Sequence, residues 1–254
     1  MIPPQAHAML KKHLLSLPDK PFRLNDITIW PVTFFLSIGL LTTFLSKDPR
    51  YLAVTVMATI AWRALHHFSQ GINQLCIEEY FDTASEYLLA SPVETKHFVI
   101  AGTIIGAIKM AVIITLIALT ATLFFQFPPI SIPALAGAIA INAVFGVQLG
   151  LILLGLTYTY GNESAVASYI ITDAISILSA AFFPIALLPW PMQAIALLLP
   201  STHAFALIKA SQGIEAFNPI AAIATLTAWL VAAILIHNYL LKNARKKGTL
   251  VRIK

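Results

Sequence analysis

The sequence predicts an all-α membrane protein with six transmembrane helices. Three observations support this prediction: an apolar composition, a high mean hydropathy and the spacing of the apolar segments. Of the 254 residues, 58% are hydrophobic and 11% are charged, whereas soluble domains are about 45–50% apolar and about 25% charged. The mean hydropathy is +0.82. Because so few polar residues cannot cover a water-soluble globule, the composition excludes a soluble protein. The formal charge of +5 then reflects loops that set orientation rather than a nucleic-acid partner.

Six segments are apolar and long enough to cross a bilayer, which takes about 20 residues. These predicted spans lie at 28–46, 51–75, 98–125, 132–158, 165–188 and 218–241. The stretch 189–216 is also apolar, but prolines divide it into pieces too short to cross alone. It therefore predicts a re-entrant helical hairpin between the fifth and sixth spans, in which the chain enters the membrane and returns on the same side.

The two ends of the chain are polar and basic. Residues 1–26 are predicted to form a cytoplasmic segment, in which the stretch 5–17 puts its apolar side chains on one helical face. That pattern is typical of a helix lying in the membrane interface; a disordered basic leader is the alternative. Residues 27–241 form the six-helix membrane domain, and residues 242–254 form a basic cytoplasmic tail. The N-terminal segment is too polar, and too often interrupted by proline, for a cleavable signal peptide.

The distribution of Lys and Arg predicts the orientation in the membrane. The N-terminal segment, the loop at 76–97 and the tail together carry eleven of these residues, whereas the opposite side carries three, Lys47, Arg50 and Lys209. Basic loops stay in the cytoplasm, so both termini are predicted to be cytoplasmic. The sequence thus indicates a multi-pass protein of the inner (plasma) membrane.

Several common catalytic motifs are absent from the sequence. It has no GxxxxGK[ST] phosphate loop, so this chain is not expected to hydrolyse ATP by that route. HExxH, GxSxG and CxxC are absent as well, and the single cysteine, Cys76, excludes a cysteine-based metal cage. The sequence therefore predicts no catalytic residue, no metal site and no cofactor within this chain, which is not expected to be an enzyme.

Ionisable residues inside the predicted spans are the first candidates for function, because an unpaired charge in lipid is costly. They are Arg63, His66, His67, Lys109 and Asp173. Asp173 is the only acid within a predicted span, which makes it the natural counter-ion for Arg63 or Lys109. Three interpretations stay open for the Arg63–Asp173 pair: a structural ion pair, a substrate path and a water-filled cleft. For the two histidines, structural hydrogen bonding or a position at headgroup level is favoured over metal binding.

The loop at 78–97, EEYFDTASEYLLASPVETKH, carries the most information. Its acids precede a short apolar run, and Ser91-Pro92 then ends one helix and starts the next, because Ser is a favoured N-cap and Pro is tolerated in a first turn. This pattern predicts a short, acidic, amphipathic helix that offers a docking surface on the cytoplasmic side. An ordinary solvated helical loop is the alternative.

These residues resemble the loop between the second and third spans in permease subunits of type-2 ABC (ATP-binding-cassette) exporters, which export drugs, polysaccharides and nodulation factors. In that family the loop reads approximately E-x-E-x-G-T-x-E-x-L-L-x-[ST]-P-[VL]. The resemblance implies a coupling helix that inserts into a groove of a separate ATPase subunit. Asp82 lies in the same acidic stretch, and Thr83-Ala84 departs from the usual Gly-Thr. The positions that fall on the frame are Glu79, Glu86, Leu88, Leu89, Ser91, Pro92 and Val93.

A second resemblance to the same family lies in the block 182–210. The family shows a similar F-P-x-x-x-L-P, an apolar stretch and P-x-[TS]-x at the outer end of its fifth span, followed by a basic residue. The resemblance implies a re-entrant pair of short helices near the outer leaflet. The matching positions are Pro184, Leu188, Pro189, Pro200 and Lys209.

Together the two motifs imply the permease subunit of an ABC exporter, which forms the path for an amphipathic or lipid-like substrate. The implied partners are the lipid membrane, a second permease copy in a homo- or heterodimer, and two copies of an ATPase subunit that binds ATP and Mg²⁺. The resemblance also implies dimer contacts through the first and fifth spans, and the stripe of hydroxyl residues at 168–179 fits such an interface.

Two other classes of protein stay open. A proton- or ion-coupled secondary transporter would use Arg63, Asp173 and the histidine pair His66 and His67 as its relay, and it would need no ATPase. A non-transporting membrane assembly subunit would tolerate changes both in the loop and in the middle of the membrane. Flux into vesicles with and without ATP separates the three.

Overall fold

The computed structural model describes residues 2–82, 84, 87, 90–125 and 128–249, apart from the side chains of Phe22 and Asn162. Within these residues the structure is all-helical, which confirms the all-α part of the predicted fold class. Short 3-10 turns lie at Gly161–Glu163 and Ile185–Leu187. The α-helices are α1 (Pro4–Ser16), α2 (Pro21–Ile27), α3 (Ile29–Leu45), α4 (Pro49–Phe81), α5 (Thr95–Phe124), α6 (Ile132–Tyr160), α7 (Ser164–Leu178), α8 (Trp190–Leu197), α9 (Pro200–Ser211) and α10 (Pro219–Lys247).

Polar caps followed by proline determine where two of the long helices begin. Asp48 precedes Pro49 at the start of α4, and its carboxylate accepts a hydrogen bond from the backbone N–H of Arg50 at 3.0 Å. Asn218 acts in the same way before Pro219 at the start of α10. Proline fits the first turn of a helix because its missing N–H would have no partner there.

Four helical segments are long and apolar enough to cross a membrane. They are Arg23–Leu45, which joins the end of α2 to α3, and the helices α5, α6 and α10. The pair α8 and α9 passes the same test as one unit that is bent by 96°, which gives up to five crossings. Helices of this length and composition indicate a multi-pass membrane protein.

The two other predicted spans, α4 and α7, differ from these helices. α4 has 33 residues and is about 50 Å long at 1.5 Å per residue, but it is more polar than the four. α7 has 15 residues and is about 22 Å long, which is less than the roughly 30 Å of hydrocarbon core. The predicted fifth span at 165–188 is therefore too long: the helix ends at Leu178, and Ala180 turns the chain with a φ of 52°. Six spans are not confirmed, and that number stays a prediction.

α4 is the central helix of the bundle and packs against α3, α5, α6, α7 and α9. Its residues from Leu52 to Glu78 are buried, with the exception of Phe68. A helix surrounded by protein needs no apolar face toward lipid, because neighbouring helices can satisfy its polar side chains. Its position therefore explains how α4 can be both very long and rich in polar residues.

Glycines allow α4 and α5 to pack at close range. A Cβ atom on Gly102 would lie 2.5 Å from Cα of Ile72, and one on Gly71 would lie 2.5 Å from the carbonyl oxygen of Gly102. Real Cβ atoms do not approach backbone this closely, so both positions need glycine. Gly102 and Gly106 thus form a G-x-x-x-G contact of the kind that joins membrane helices.

Replacing Gly102 by Ala is expected to lower the free energy of unfolding by about 1–3 kcal/mol. The new Cβ would overlap the backbone of Ile72, which cannot rotate away. Thermal unfolding of the purified variant in detergent measures the effect. Gly137→Ala in α6 is the matched control, because its Cβ would meet only Cδ2 of Leu207, the movable end of a side chain. Equal melting temperatures for the two variants would contradict close packing at Gly102.

The N-terminal segment folds back onto the bundle. α1 coincides with the helix predicted at 5–17, and it packs along α5. Ala6 is fully buried, and Met9 packs against a cluster that includes Leu75. The apolar face of α1 therefore covers protein, and its position in the membrane interface stays a prediction.

The proline-rich stretch forms short helices, as expected from its composition. Pro184 precedes the 3-10 turn, Pro189 precedes α8, and Pro200 begins α9. The 96° angle between α8 and α9 is that of a broken span or of a re-entrant pair. The re-entrant arrangement near the outer leaflet stays a prediction.

Candidate functional site: the polar cavity beside α4

A cavity of about 300 Å³ lies between the α2–α3 junction, α4 and α7. Its lining is unusually polar for a bundle of apolar helices, because three of its walls contribute charged or hydrogen-bonding side chains. The residues that line it are Asn25, Asp26, Trp30, Arg63, His66, Tyr169 and Asp173.

Arg63 is the most buried charge at this cavity, with only 1% of its side chain exposed. Its Nη2 donates to Oδ1 of Asp26 at 2.8 Å and to the backbone carbonyl of Asp26 at 2.7 Å. The same nitrogen lies 2.9 Å from Nε2 of His67. The guanidinium also lies 5.6 Å from the ring centre of Trp62. Arg63 thus ties the end of α2 to the middle of α4.

Asp173 is not the ion-pair partner of Arg63 that the sequence predicted. Arg63 pairs with Asp26, a residue assigned from the sequence to the cytoplasmic segment outside the membrane domain. Asp173 lines the same cavity from α7, where it forms no ion pair with any residue that the structure describes.

A count along the helical hairpin does not by itself bring Asp26 to the depth of Arg63. α3 and α4 are joined by a short turn at 46–48. Asp26 lies 20 residues before Ser46, whereas Arg63 lies 15 residues after Asp48, a difference of about 7 Å along the helix axis. The contact therefore depends on how α2 packs against α4, and assigning residues 1–26 to the cytoplasm left Asp26 out of the candidates.

Lys109 on α5 reaches the same cavity through hydrogen bonds. Its side chain is buried, and Nζ donates to Oε1 of Gln74 at 3.1 Å. Nε2 of Gln74 donates in turn to the hydroxyl of Tyr169 at 2.7 Å, and Tyr169 lines the cavity. Lys109 is thus satisfied by an amide rather than by the predicted carboxylate, and a polar path leads from it to the cavity.

The hydroxyl residues of α7 face the protein interior. Oγ of Ser168 accepts a hydrogen bond from Nδ2 of Asn73 at 2.8 Å, and Oγ1 of Thr157 donates to Oδ1 of the same Asn73 at 2.8 Å. Thr172 and Ser176 are buried as well. Within the single chain this stripe joins α7 to α4 and α6, so it does not form the free dimer surface that the sequence pattern favoured.

The acids at the end of α4 are paired with cations of the N-terminal segment. Glu79 forms an ion pair with Lys12, and Asp82 lies 3.6 Å from Nζ of Lys20. The neighbouring Glu78 binds Nη2 of Arg23 at 2.7 Å. Two of the predicted coupling residues, Glu79 and Asp82, therefore lie beside positive charges of the same chain.

The remaining predicted coupling residues are placed as follows. Glu86, Leu88 and Leu89 lie outside the residues that the structure describes. Ser91 and Pro92 lie in the turn that leads into α5, and Pro92 is exposed.

The start of α5 differs from the expected Ser91-Pro92 cap. The helix begins at Thr95, because Glu94 and His97 form a capping box in which each accepts a hydrogen bond from the other's backbone N–H. Lys96, 2.8 Å from Glu94, lowers the pKa of the Glu94 carboxyl through a hydrogen bond.

Lys209, one of the residues predicted for the re-entrant hairpin, stabilises the irregular turn after α7. Its Nζ forms an ion pair with Glu215 at 2.8 Å. The same ammonium donates to the backbone carbonyls of Phe183 at 3.0 Å and of Ala180 at 3.2 Å. Lys209 therefore has a structural role in joining α9 to this turn.

No protein-family model matches this chain, and no curated protein matches it. A function for the chain therefore rests on its residue patterns and on the geometry described above.

Proposed function

We propose that this chain is the permease subunit of a type-2 ABC exporter, in the inner membrane and with both termini in the cytoplasm. The observation that carries the proposal is the length of α4 and the character of its end. At about 50 Å, α4 exceeds the hydrocarbon core by roughly 20 Å, and it ends in Glu78, Glu79 and Asp82 just before the coupling-type loop. An acidic end that extends beyond the bilayer lies where a separate ATPase subunit would dock, with Asp82, 42% exposed, as the most accessible of its three acids.

The packing of α4 supports a mechanical role for it. The helix contacts α3, α5, α6, α7 and α9, so a force applied at its cytoplasmic end would move the whole bundle. Two copies of the ATPase subunit bind ATP and Mg²⁺ and supply that force, and this chain supplies the path together with a second permease copy. The polar cavity beside Arg63 would then widen or close as α4 moves against α7.

The N-terminal cations modify the docking surface that the loop alone predicts. Lys12, Lys20 and Arg23 cover part of the acidic end of α4. An ATPase that docks here would contact both the acids of α4 and these cations. It would therefore bind α1 and α2 as well as the loop. The substrate class that fits a lipid-facing bundle with a polar cavity beside Arg63 is an amphipathic or lipid-like molecule.

The decisive experiment is reconstitution of the chain with its ATPase partner in vesicles. We expect substrate flux that requires ATP and that stops when the ATPase is made inactive. Glu79→Arg should reduce ATP-driven flux at least tenfold while the protein still folds, because it reverses the charge at the end of α4 and repels Lys12. Glu163→Arg is the matched control: this exposed acid lies at the α6–α7 turn, on the same side by helix succession. Equal loss in both variants, or ATP-independent flux, would contradict the proposal.

A second candidate is a proton- or ion-coupled secondary transporter. The polar cavity favours it, because Arg63, His66 and Asp173 of the predicted relay all line it, and membrane proton relays are built from Asp, Glu and His side chains. This function predicts flux without any ATPase, abolished by a protonophore and by Asp173→Asn. Absence of flux under both conditions would instead favour a membrane assembly subunit.

A further inference from the structure

We propose that Asp26, His66 and His67 form a binding site for a divalent transition-metal ion, with Zn²⁺ as the best-fitting ion. Their ligand atoms all lie within 4.8 Å of one another. Nε2 of His66 lies 3.8 Å from Oδ1 of Asp26, and Nδ1 of His67 lies 3.9 Å from Oδ2. The site is independent of the proposed transport function.

The donor set matches the chemistry of zinc and its neighbours in the first transition series. Two imidazoles and one carboxylate are ligands that Zn²⁺ accepts, and three-ligand zinc sites leave a fourth position open. His66 and Asp26 also line the cavity of about 300 Å³, so the open position can face that space. Two histidines one after the other on α4 provide fixed ligands, and Asp26 provides the third from α2.

The ligand atoms must move closer together before they can bind one zinc ion. With Zn–ligand bonds of about 2.0–2.1 Å, tetrahedral ligand atoms lie about 3.4 Å apart. The atoms observed up to 4.8 Å apart must therefore approach by as much as about 1.4 Å. Asp26 is the side chain with room to move, because 24% of it is exposed, whereas the two histidines are 4% and 0% exposed.

A separate observation shows that the histidines have unused nitrogen atoms. Both ring nitrogens of His66 lack a hydrogen-bond partner among the described residues, and so does Nδ1 of His67. A neutral imidazole offers one donor and one acceptor, and buried polar groups are nearly always paired. A metal ion can bind a ring nitrogen of His66 directly. In His67, Nε2 accepts from Arg63, so Nδ1 carries the ring proton and becomes a metal ligand only when that proton moves to Nε2.

Arg63 would hydrogen-bond to a ligand of such a site without binding the metal ion itself. It already holds Oδ1 of Asp26 at 2.8 Å, which leaves Oδ2 for a metal, and hydrogen bonds of this kind orient metal ligands. Binding through Nδ1 of His67 places the ring proton on Nε2, so Arg63 would keep its bond to Asp26 and lose its contact with His67. Asp173, on the α7 wall of the cavity, adds a second negative charge that offsets the added cation.

The proposed site differs from the sequence-based interpretation, which favoured structural hydrogen bonding or a headgroup-level position for the two histidines over metal binding. That expectation lacked the third ligand, because Asp26 was assigned to a different part of the protein. A bound ion would join the end of α2 to α4 and would stabilise the folded chain in proportion to its occupancy.

The test uses the full-length chain in detergent, purified without a polyhistidine tag and treated with EDTA. We expect one Co²⁺ per chain at micromolar concentrations, seen by its visible absorption bands, and displacement of Co²⁺ by Zn²⁺. Zn²⁺ should also raise the melting temperature. His66→Gln should weaken Co²⁺ binding at least tenfold, whereas His7→Gln, an exposed histidine of α1, should leave it unchanged.

Wild-type affinity in His66→Gln, or no stoichiometric binding by the wild-type chain, would overturn the proposal. If His66→Gln does not fold, X-ray absorption of the Zn²⁺-loaded wild-type protein provides the test. Two imidazole nitrogens at about 2.0 Å support the site, and a shell made only of oxygen, or one containing sulfur, contradicts it.

Discussion

Replacing Asp26 by Asn is expected to lower the free energy of unfolding by about 3–5 kcal/mol, the usual cost of leaving one buried charge without its partner. The cost falls on Arg63, whose side chain is 1% exposed and depends on Asp26 for its only close carboxylate among the described residues. Because Asn has nearly the same shape as Asp, the change removes charge and little packing. Thermal and denaturant unfolding of the EDTA-treated protein in detergent measures the loss.

A surface pair in the same chain provides the control. Asp48 and Arg50 form an ion pair at 2.6 Å at the α3–α4 turn, where 54% of the Arg50 side chain is exposed to solvent, against 1% for Arg63. Asp48→Asn should therefore have little effect, since water screens such pairs. The double variant Asp26→Asn with Arg63→Gln should be more stable than Asp26→Asn alone, because it removes the unpaired charge. Equal effects of Asp26→Asn and Asp48→Asn would show that Asp26 does not neutralise Arg63.

Lys209→Met is expected to produce the second large effect, again a loss of about 3–5 kcal/mol. The ammonium is 4% exposed, and its removal leaves Glu215 without its ion-pair partner, with only the backbone N–H of Ile185 still donating to it, and leaves two backbone carbonyls without a donor. The turn after α7 should then loosen, because Ala180 holds a positive φ there that its surroundings must maintain. Unfolding in detergent, together with limited proteolysis between α7 and α8, measures the change.

The control for Lys209→Met is an exposed lysine in the turn between α3 and α4. Lys47→Met, between α3 and α4, removes the same type of side chain from an exposed position, and it should change neither stability nor proteolysis. Restored protection in Lys209→Arg would agree with a charge-based role. Unchanged proteolysis in Lys209→Met would show instead that the turn is held by the packing of α9.

The helices themselves were largely predictable from local patterns. The segments 28–46 and 132–158 agree closely with Ile29–Leu45 and Ile132–Tyr160, because each apolar run is bounded by polar or proline-containing turns. The end of α7 was not predictable in the same way. The apolar composition continues to Phe183, and what ends the helix includes hydrogen bonds from Lys209, which lies far along the chain.

The candidate site was predictable only in part. Arg63, His66 and His67 share a helix face by their spacing, so the sequence brings them together. Their acidic partner Asp26 lies in another element, and a partner choice of this kind depends on tertiary packing. Likewise, the acids at 78–82 looked free in the sequence, whereas the fold of α1 and α2 places lysines beside them.

The enclosed position of α4 has a consequence for how the protein is made. In the proposed six-span arrangement α4 crosses the membrane with Arg63 and two histidines near its centre, and each Arg at the centre of an isolated inserted helix costs about 2.5–3.5 kcal/mol. It is therefore a poor substrate for the translocon on its own. Its biogenesis should proceed as a unit with the apolar α3 and α5, which can shield it from the acyl chains until α6 arrives.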